Sequence, residues 1–132
     1  MLSKAKAVVI GGGVVGVSTL YHLASKGWDD VILLERKSLT SGSTWHAAGL
    51  LPLFNMSYSV GQIHKYSVKF YQELQNETGM NVGFKKVSNI RLASNQDRMD
   101  EYMQYKGVAD TIGINVEVLK PEDVKKIWPL IS

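Results

Sequence analysis

The first residues in this sequence whose types and spacing could do chemistry are Gly11-x-Gly13-x-x-Gly16 and Glu35, nineteen positions later. The first glycine can make a tight turn, the second can let backbone approach a pyrophosphate, and the third can let a helix pack closely on a strand. At such a helix start the amides of Val14 and Val15 are free to meet an anion that the helix dipole favours. Glu35 can accept hydrogen bonds from ribose hydroxyls, and its charge disfavours a 2′-phosphate, so FAD or NAD is expected over NADP. A bare glycine pattern is common in loops. Here it has a strand before it, a helix after it, the right spacing and an acid at the end of a second strand.

The second constellation is Ser41-Gly42-Ser43-Thr44-Trp45-His46-Ala47-Ala48-Gly49-Leu50. It has no packing period, and its small residues would let backbone approach a flat ligand. On these residues the chain resembles the dimethylglycine and sarcosine dehydrogenase family, within the larger group of FAD-dependent amine oxidoreductases that includes glycine oxidase and D-amino acid oxidase. Glu77-Thr78-Gly79, Val82-Gly83-Phe84 and Ile90-Arg91-Leu92-Ala93 extend the likeness more loosely. In those dehydrogenases a histidine in a Ser-Thr-Trp-His-Ala-Ala-Gly context is joined through a ring nitrogen to the 8α-methyl of the flavin, and His46 matches that position. The resemblance implies that Gly11, Gly13, Val14, Val15, Gly16, Glu35, Arg36, Gly42, Ser43, Thr44, Trp45, His46, Ala47, Ala48, Gly49 and Leu50 contact FAD.

The resemblance further implies oxidation of an N-methyl amino acid such as dimethylglycine or sarcosine, by hydride transfer to flavin. Electrons would pass to a carrier such as an electron-transfer flavoprotein, and the one-carbon unit to formaldehyde or tetrahydrofolate. Two other readings compete. An NAD-dependent dehydrogenase would use the same glycine loop but has no need of the Trp45-His46 motif. A non-catalytic regulatory module on the same fold has no need of a flavin-attaching histidine.

Other residues carry less. His22 and His64 fall on the polar side and the flank of helical segments and read as surface or edge residues. Tyr58, Tyr66, Phe70 and Tyr71 could line a substrate pocket, but helical spacing explains most of them as core. Asp97, Asp100 and Glu101 suit a helix start through the dipole. Arg91 could hold a substrate carboxylate but reads better as a strand arginine facing solvent or an ion pair. No grouping of His, Asp and Glu has metal-ligand spacing, and the absence of cysteine excludes thiolate chemistry and disulfides here.

The elements that must position these residues follow from periodicity. Ala5 to Ile10 is a short apolar run that predicts a buried parallel strand. Val14 to Lys26 carries a helical repeat stopped by Gly27, and Asp30 to Glu35 predicts a second buried strand. Strand, helix, strand is the right-handed crossover of parallel sheets. Residues 37 to 58 predict loop with a short helix near Thr44 to Gly49. A long helix is expected over Ser59 to Thr78, with Ile63, Tyr66, Phe70 and Leu74 on one face. Strands are expected over Val82 to Val87, Asn89 to Ser94 and Ile114 to Leu119. A helix capped by Ser94 should span Asn95 to Ile112 with Gly107 as a weak point, and Pro121 should open a last short helix.

The fold class expected is α/β: the N-terminal part of a Rossmann-like FAD-binding domain, then the start of an α+β substrate domain, incomplete as it stands. Residues 1–58 would bind and attach the flavin, and 59–132 would belong to the interleaved cofactor and substrate region. Two strands and one helix leave apolar faces uncovered, so poor stability of the isolated chain is expected. The 132 residues are 45% hydrophobic and 20% charged, with a net charge of +3. The basic pairs Arg36-Lys37, Lys85-Lys86 and Lys125-Lys126 are dispersed, which argues against nucleic acid. Met1 to Val17 begins basic and turns apolar, but Gly11-Gly12-Gly13 interrupts it, so it reads as no signal peptide. No apolar run reaches the roughly 18 residues of a membrane span. A soluble protein is expected, cytoplasmic or, alternatively, in the mitochondrial matrix.

Overall fold

The computed structural model describes residues 4–131, so Met1 to Ser3 of the basic opening, and the final Ser132, lie outside it. The chain divides into two compact units, Met1–Leu50 and Leu51–Ser132.

In the first unit β1 (Ala7–Ile10), α1 (Val14–Ser25) and β2 (Val31–Leu34) form the expected crossover. The strands are parallel, with Ala7 opposite Val31 and Ile10 opposite Leu34. Helix α1 starts where Gly13 takes an extended conformation and ends at Lys26, after which Gly27 adopts the positive φ of 82° that an L side chain resists. Burial of both strand faces was expected, and the structure corrects this. Ala7 and Val9 are half-buried, whereas Val8 is exposed and Ile10 is 85% exposed. Period-two alternation sends Val8 and Ile10 of β1 to the face that α1 leaves open, whereas Val31, Ile32 and Leu33 of β2 are all half-buried. A 3-10 turn, Ser43–His46, stands where a short helix was expected near Thr44.

The second unit holds α2 (Tyr58–Thr78), α3 (Gln96–Ile112) and α4 (Pro121–Ile127). Ser57 caps α2 by accepting from the Val60 amide, and Gly79 closes it in the left-handed conformation. Helix α3 is capped by Asn95, whose Oδ1 accepts from the Arg98 amide at 2.9 Å, so the cap is one residue beyond the Ser94 expected. Gly107 does not interrupt it. Pro121 sits in the first turn of α4, where its missing N–H costs nothing. The buried apolar residues described are Ala109, Ile112 and Val124. Gly61 of α2 is buried where a Cβ would overlap the Ile112 side chain, so its lack of a side chain lets α2 approach α3. Lys65 Nζ donates to the Ile112 carbonyl at 2.6 Å, satisfying the end of α3.

The three expected strands of this unit are not formed. Ile114 and Val116 are half-buried while Asn115 and Glu117 are exposed, an alternation that Val118 and Leu119 do not continue. Among the described residues no ladder pairs the 82–94 or 114–119 segments with a partner, and an unpaired strand is not a stable element. The shared face of α2 is covered only toward its C-terminal end: Phe70 and Leu74 are half-buried, whereas Ile63 is 63% exposed and Tyr66 is exposed too.

Candidate functional site

The site is built on the turn between β1 and α1. Gly11 takes a φ of 107°, and its amide donates to the Leu34 carbonyl at 2.8 Å, extending the sheet ladder to the turn. A Cβ on Gly16 would overlap the Gly11 carbonyl oxygen, and Val9 Cγ1 lies 3.4 Å from the same point. Gly16 therefore allows helix, loop and strand to meet, as its spacing suggested. Gly12, which spacing did not single out, is buried, and a Cβ there would lie 2.6 Å from Leu39 Cδ2 and 3.1 Å from the Glu35 side chain. The run of three glycines was the available signal for it.

Glu35 reaches the loop by side chain. Its Oε2 accepts from the Gly12 amide at 2.6 Å and its Oε1 from the Lys37 amide at 2.8 Å. These amides, Gly12 first and Lys37 next, hold the carboxyl below the usual glutamate range, with Arg36 adding a smaller Coulombic pull in the same direction. Each carboxylate oxygen retains a lone pair for a further donor.

The His46 turn is tied to the same loop. The Thr40 amide donates to the Gly12 carbonyl at 2.9 Å, the Trp45 amide to the Thr40 carbonyl at 3.1 Å, and the Val14 amide to Thr44 Oγ1 at 2.9 Å. His46 Nδ1 lies 3.0 Å from the Gly42 carbonyl oxygen. A carbonyl can only accept, so Nδ1 donates to it and Nε2 is the ring nitrogen left for a further partner. His46 is exposed, as is Trp45 at 78%. Gly42 precedes the turn, Ser43 opens it, and Ala47, Ala48, Gly49 and Leu50 follow as exposed irregular chain, with Gly49 at a φ of 68°. Arg36 is exposed beside Glu35. The structure thus joins Gly11, Gly13, Val14, Gly16, Glu35, Thr44 and His46 through short bonds or packing, and brings no side-chain partner to the stretch from Ala47 to Leu50 among the described residues.

The amides of Val15 and Gly16 have no acceptor among the described residues, since Gly12 gives its carbonyl to Thr40 and the first intrahelical bond runs from Val17 to Gly13. Unspent helix-start amides, glycines without room for a Cβ and a pinned carboxylate fit the phosphate and ribose of a dinucleotide.

Elsewhere, Lys6, Lys26, Gly27 and Trp28 line an open groove of about 430 Å³. It lies at the end of α1 remote from the glycine loop and includes none of these residues. His22 Nδ1 donates to the Ser18 carbonyl and His64 Nδ1 to the Pro52 carbonyl, both as local braces. Arg91 lies in no strand and pairs with no acid among the described residues: it donates to the Phe54 carbonyl at 3.1 Å and to Asn89 Oδ1, and lies 5.1 Å from the centre of the Phe54 ring. Tyr58 and Tyr66 are exposed rather than core. Glu101 accepts from Tyr105 and Arg98, and Asp100 from Gln96, so the acidic group is spent within α3. No metal-ligating cluster occurs among the described residues.

Comparison with known proteins agrees with this geometry. A family model described as FAD dependent oxidoreductase matches residues 6–132. The mitochondrial dimethylglycine dehydrogenase of Rattus norvegicus is 43% identical over 129 residues, which are 98% of this chain and 15% of that protein. The mitochondrial pyruvate dehydrogenase phosphatase regulatory subunit of Mus musculus is 35% identical over 130 residues, again 98% of this chain and 15% of that protein. Among solved structures, L-proline dehydrogenase from P. horikoshii superposes with a TM-score of 0.87 at 26% identity, covering 98% of this chain and 34% of that one. The chain thus spans about 15% of the length of these curated relatives.

Proposed function

The chain belongs to the family of FAD-dependent oxidoreductases, and from that premise we propose that, in the intact protein, it binds FAD for the oxidation of an N-methyl amino acid of the dimethylglycine or sarcosine type. One observation carries the reading: the glycine loop and the His46 turn are a single bonded piece, through Thr40 to Gly12 and Val14 to Thr44. A dinucleotide loop alone suits NAD equally well, and the attached histidine turn is what favours flavin.

In this reading the Val15 and Gly16 amides hold the pyrophosphate and Glu35 the ribose, while the segment from Gly42 to Leu50 lies along the flavin. His46 Nε2 attaches the flavin methyl, Nδ1 being occupied by Gly42. FAD, when bound, supplies the two-electron oxidation of the carbon–nitrogen bond. The chain's residues supply binding and orientation. The substrate class rests on the likeness to the rat dimethylglycine dehydrogenase. Electron-transfer flavoprotein and tetrahydrofolate are partners proposed from the resemblance alone, as is the division at residue 58. The names of both curated relatives favour the mitochondrial matrix over the cytoplasm, and no described helix is long and apolar enough to cross a membrane.

The mouse regulatory subunit gives a second reading some support, that of a non-catalytic module. The test separates them. Full-length protein is precipitated with acid and the peptide containing His46 is weighed by mass spectrometry. Yellow colour in the pellet and the mass of FAD on that peptide, both lost in His46→Ala, are expected. Colour released to the supernatant would sink covalent attachment, and a colourless protein would favour the regulatory module.

A further inference from the structure

Helix α1 begins at a residue that cannot cap it. Gly13 occupies the capping position and has no side-chain oxygen, and the oxygen that the first turn needs comes instead from Thr44, thirty positions along the chain. Thr44 Oγ1 accepts from the Val14 amide at 2.9 Å, and a Cβ on Gly13 would stand 3.0 Å from that oxygen. The missing side chain at Gly13 is therefore filled by the hydroxyl of another element. Thr44 is half-buried, whereas Ser43, Trp45 and His46 beside it are exposed. A capping residue that belonged to α1 would do as much for the helix but would tie it to nothing. This one belongs to the turn that carries His46.

A second tie enters from the other side of the turn. Thr40 is the one non-glycine residue described with a positive φ, 64°, a conformation that a β-branched side chain resists. It is held there by its amide on the Gly12 carbonyl and its carbonyl on the Trp45 amide. Strain of this kind persists where surrounding bonds over-determine the backbone. The turn is thus pinned by backbone at Thr40 and by one side chain at Thr44, and only the second pin can be removed without altering backbone.

We propose that Thr44 is a positioning residue, whose hydroxyl clips the His46 turn to the start of α1 and so holds His46 Nε2 at a fixed place relative to the dinucleotide-binding loop. The inference rests on the attachment reading given above. Attachment takes one hydrogen from the flavin methyl and one from the imidazole while Nε2 forms the new bond, and both hydrogens and the electron pair pass to dioxygen as hydrogen peroxide. The hydrogen lost from the imidazole is the one on Nδ1, so the Gly42 carbonyl that accepts it holds the ring up to the moment Nε2 bonds and is released as that hydrogen leaves. Intrinsic attachment of this sort depends on near-attack geometry, so a loosened turn slows it without removing any reacting atom.

The test uses full-length apoprotein from riboflavin-limited cells, as wild type, Thr44→Val and Thr44→Ser. Valine keeps the shape and removes the acceptor; serine restores it. Two quantities are read: hydrogen exchange of the peptides covering Val14 and residues 41–47, and the rate of acid-stable flavin incorporation at FAD concentrations that saturate each variant. For Thr44→Val both exchange and incorporation are expected to change by on the order of tenfold, faster exchange and slower incorporation, with Thr44→Ser near wild type. Incorporation at the wild-type rate in Thr44→Val, or failure of serine to rescue, overturns the positioning role. Acid-labile flavin in wild type overturns the attachment reading instead. The exchange comparison then decides the clip alone: protection lost only in valine upholds it, and equal exchange in all three overturns it.

Discussion

Glu35 shows how much a single residue's spacing conveys and where it stops. An acid nineteen positions beyond Gly16 is legible as a ribose acceptor, because chain length and strand register put it beside the loop. That its two oxygens also hold the Gly12 and Lys37 amides is a tertiary fact, as is the burial of Gly12. The same holds for Thr44, legible as part of a motif but not as the cap of α1. The amide bonds make Glu35 testable by pH. They depress its folded pKa, so its contribution to stability is complete above the unfolded value, about 4.3, and disappears as pH falls through the folded one. In full-length apoprotein, Glu35→Gln should lower the thermal midpoint at pH 6, and that difference should shrink as pH falls below the unfolded value. A difference that stays constant with pH would show that the charge on Glu35 holds nothing. The same variant should weaken FAD binding on the order of tenfold at pH 7, read by quenching of flavin fluorescence.

At the scale of elements, the helices were legible and most strands were not, for one physical reason. A helix closes its hydrogen bonds within its own segment, so Pro121, Gly79, Gly113 and Gly27 mark its ends directly in sequence. A strand needs a neighbour, and only β1 and β2 find one among the described residues. Ile114 to Glu117 alternates in burial as a strand would, but Val118 is exposed and Leu119 half-buried, and no ladder completes the segment. The caps are the least legible detail, since Ser94 and Asn95 are both good capping residues and adjacent. The geometry assigns the bond to Asn95. In full-length protein Asn95→Ala should therefore cost about 1 kcal/mol, and Ser94→Ala close to nothing, in denaturant unfolding. Equal losses, or a larger loss at Ser94, would return the cap to the earlier residue.

For the whole molecule, the deciding quantity is surface. The chain exposes 10464 Å², whereas a folded monomer of its mass exposes about 6,900 Å², and even two separate folded bodies of about 5.5 and 9 kDa would expose only about 8,300 Å² together. The excess is apolar in part: Ile10, Leu34 and Val8 on the open face of the sheet, Ile63 and Tyr66 on α2, and Leu50 and Trp45 beyond the glycine loop are all exposed. Among the described residues of the first unit Gly12 is the one that is buried, so the crossover has geometry but little core. Burial of apolar area contributes about 25 cal/mol per Å², and chain entropy opposes folding by about 1.5 kcal/mol per ordered residue. With three buried apolar side chains among the described residues, Ala109, Ile112 and Val124, entropy prevails. Residues 1–132 expressed alone should therefore lose far-ultraviolet signal gradually in urea rather than in a steep cooperative step, and should bind a hydrophobic dye in buffer. A well-packed monomer of this size would instead show a sigmoid with a slope of about 1–2 kcal/mol per molar urea and little dye binding. That result, in a species confirmed as monomeric by sedimentation, would overturn the expectation of poor stability. The isolated chain should also bind FAD far more weakly than the full-length protein, since a loop held by so little core pays its ordering entropy on binding.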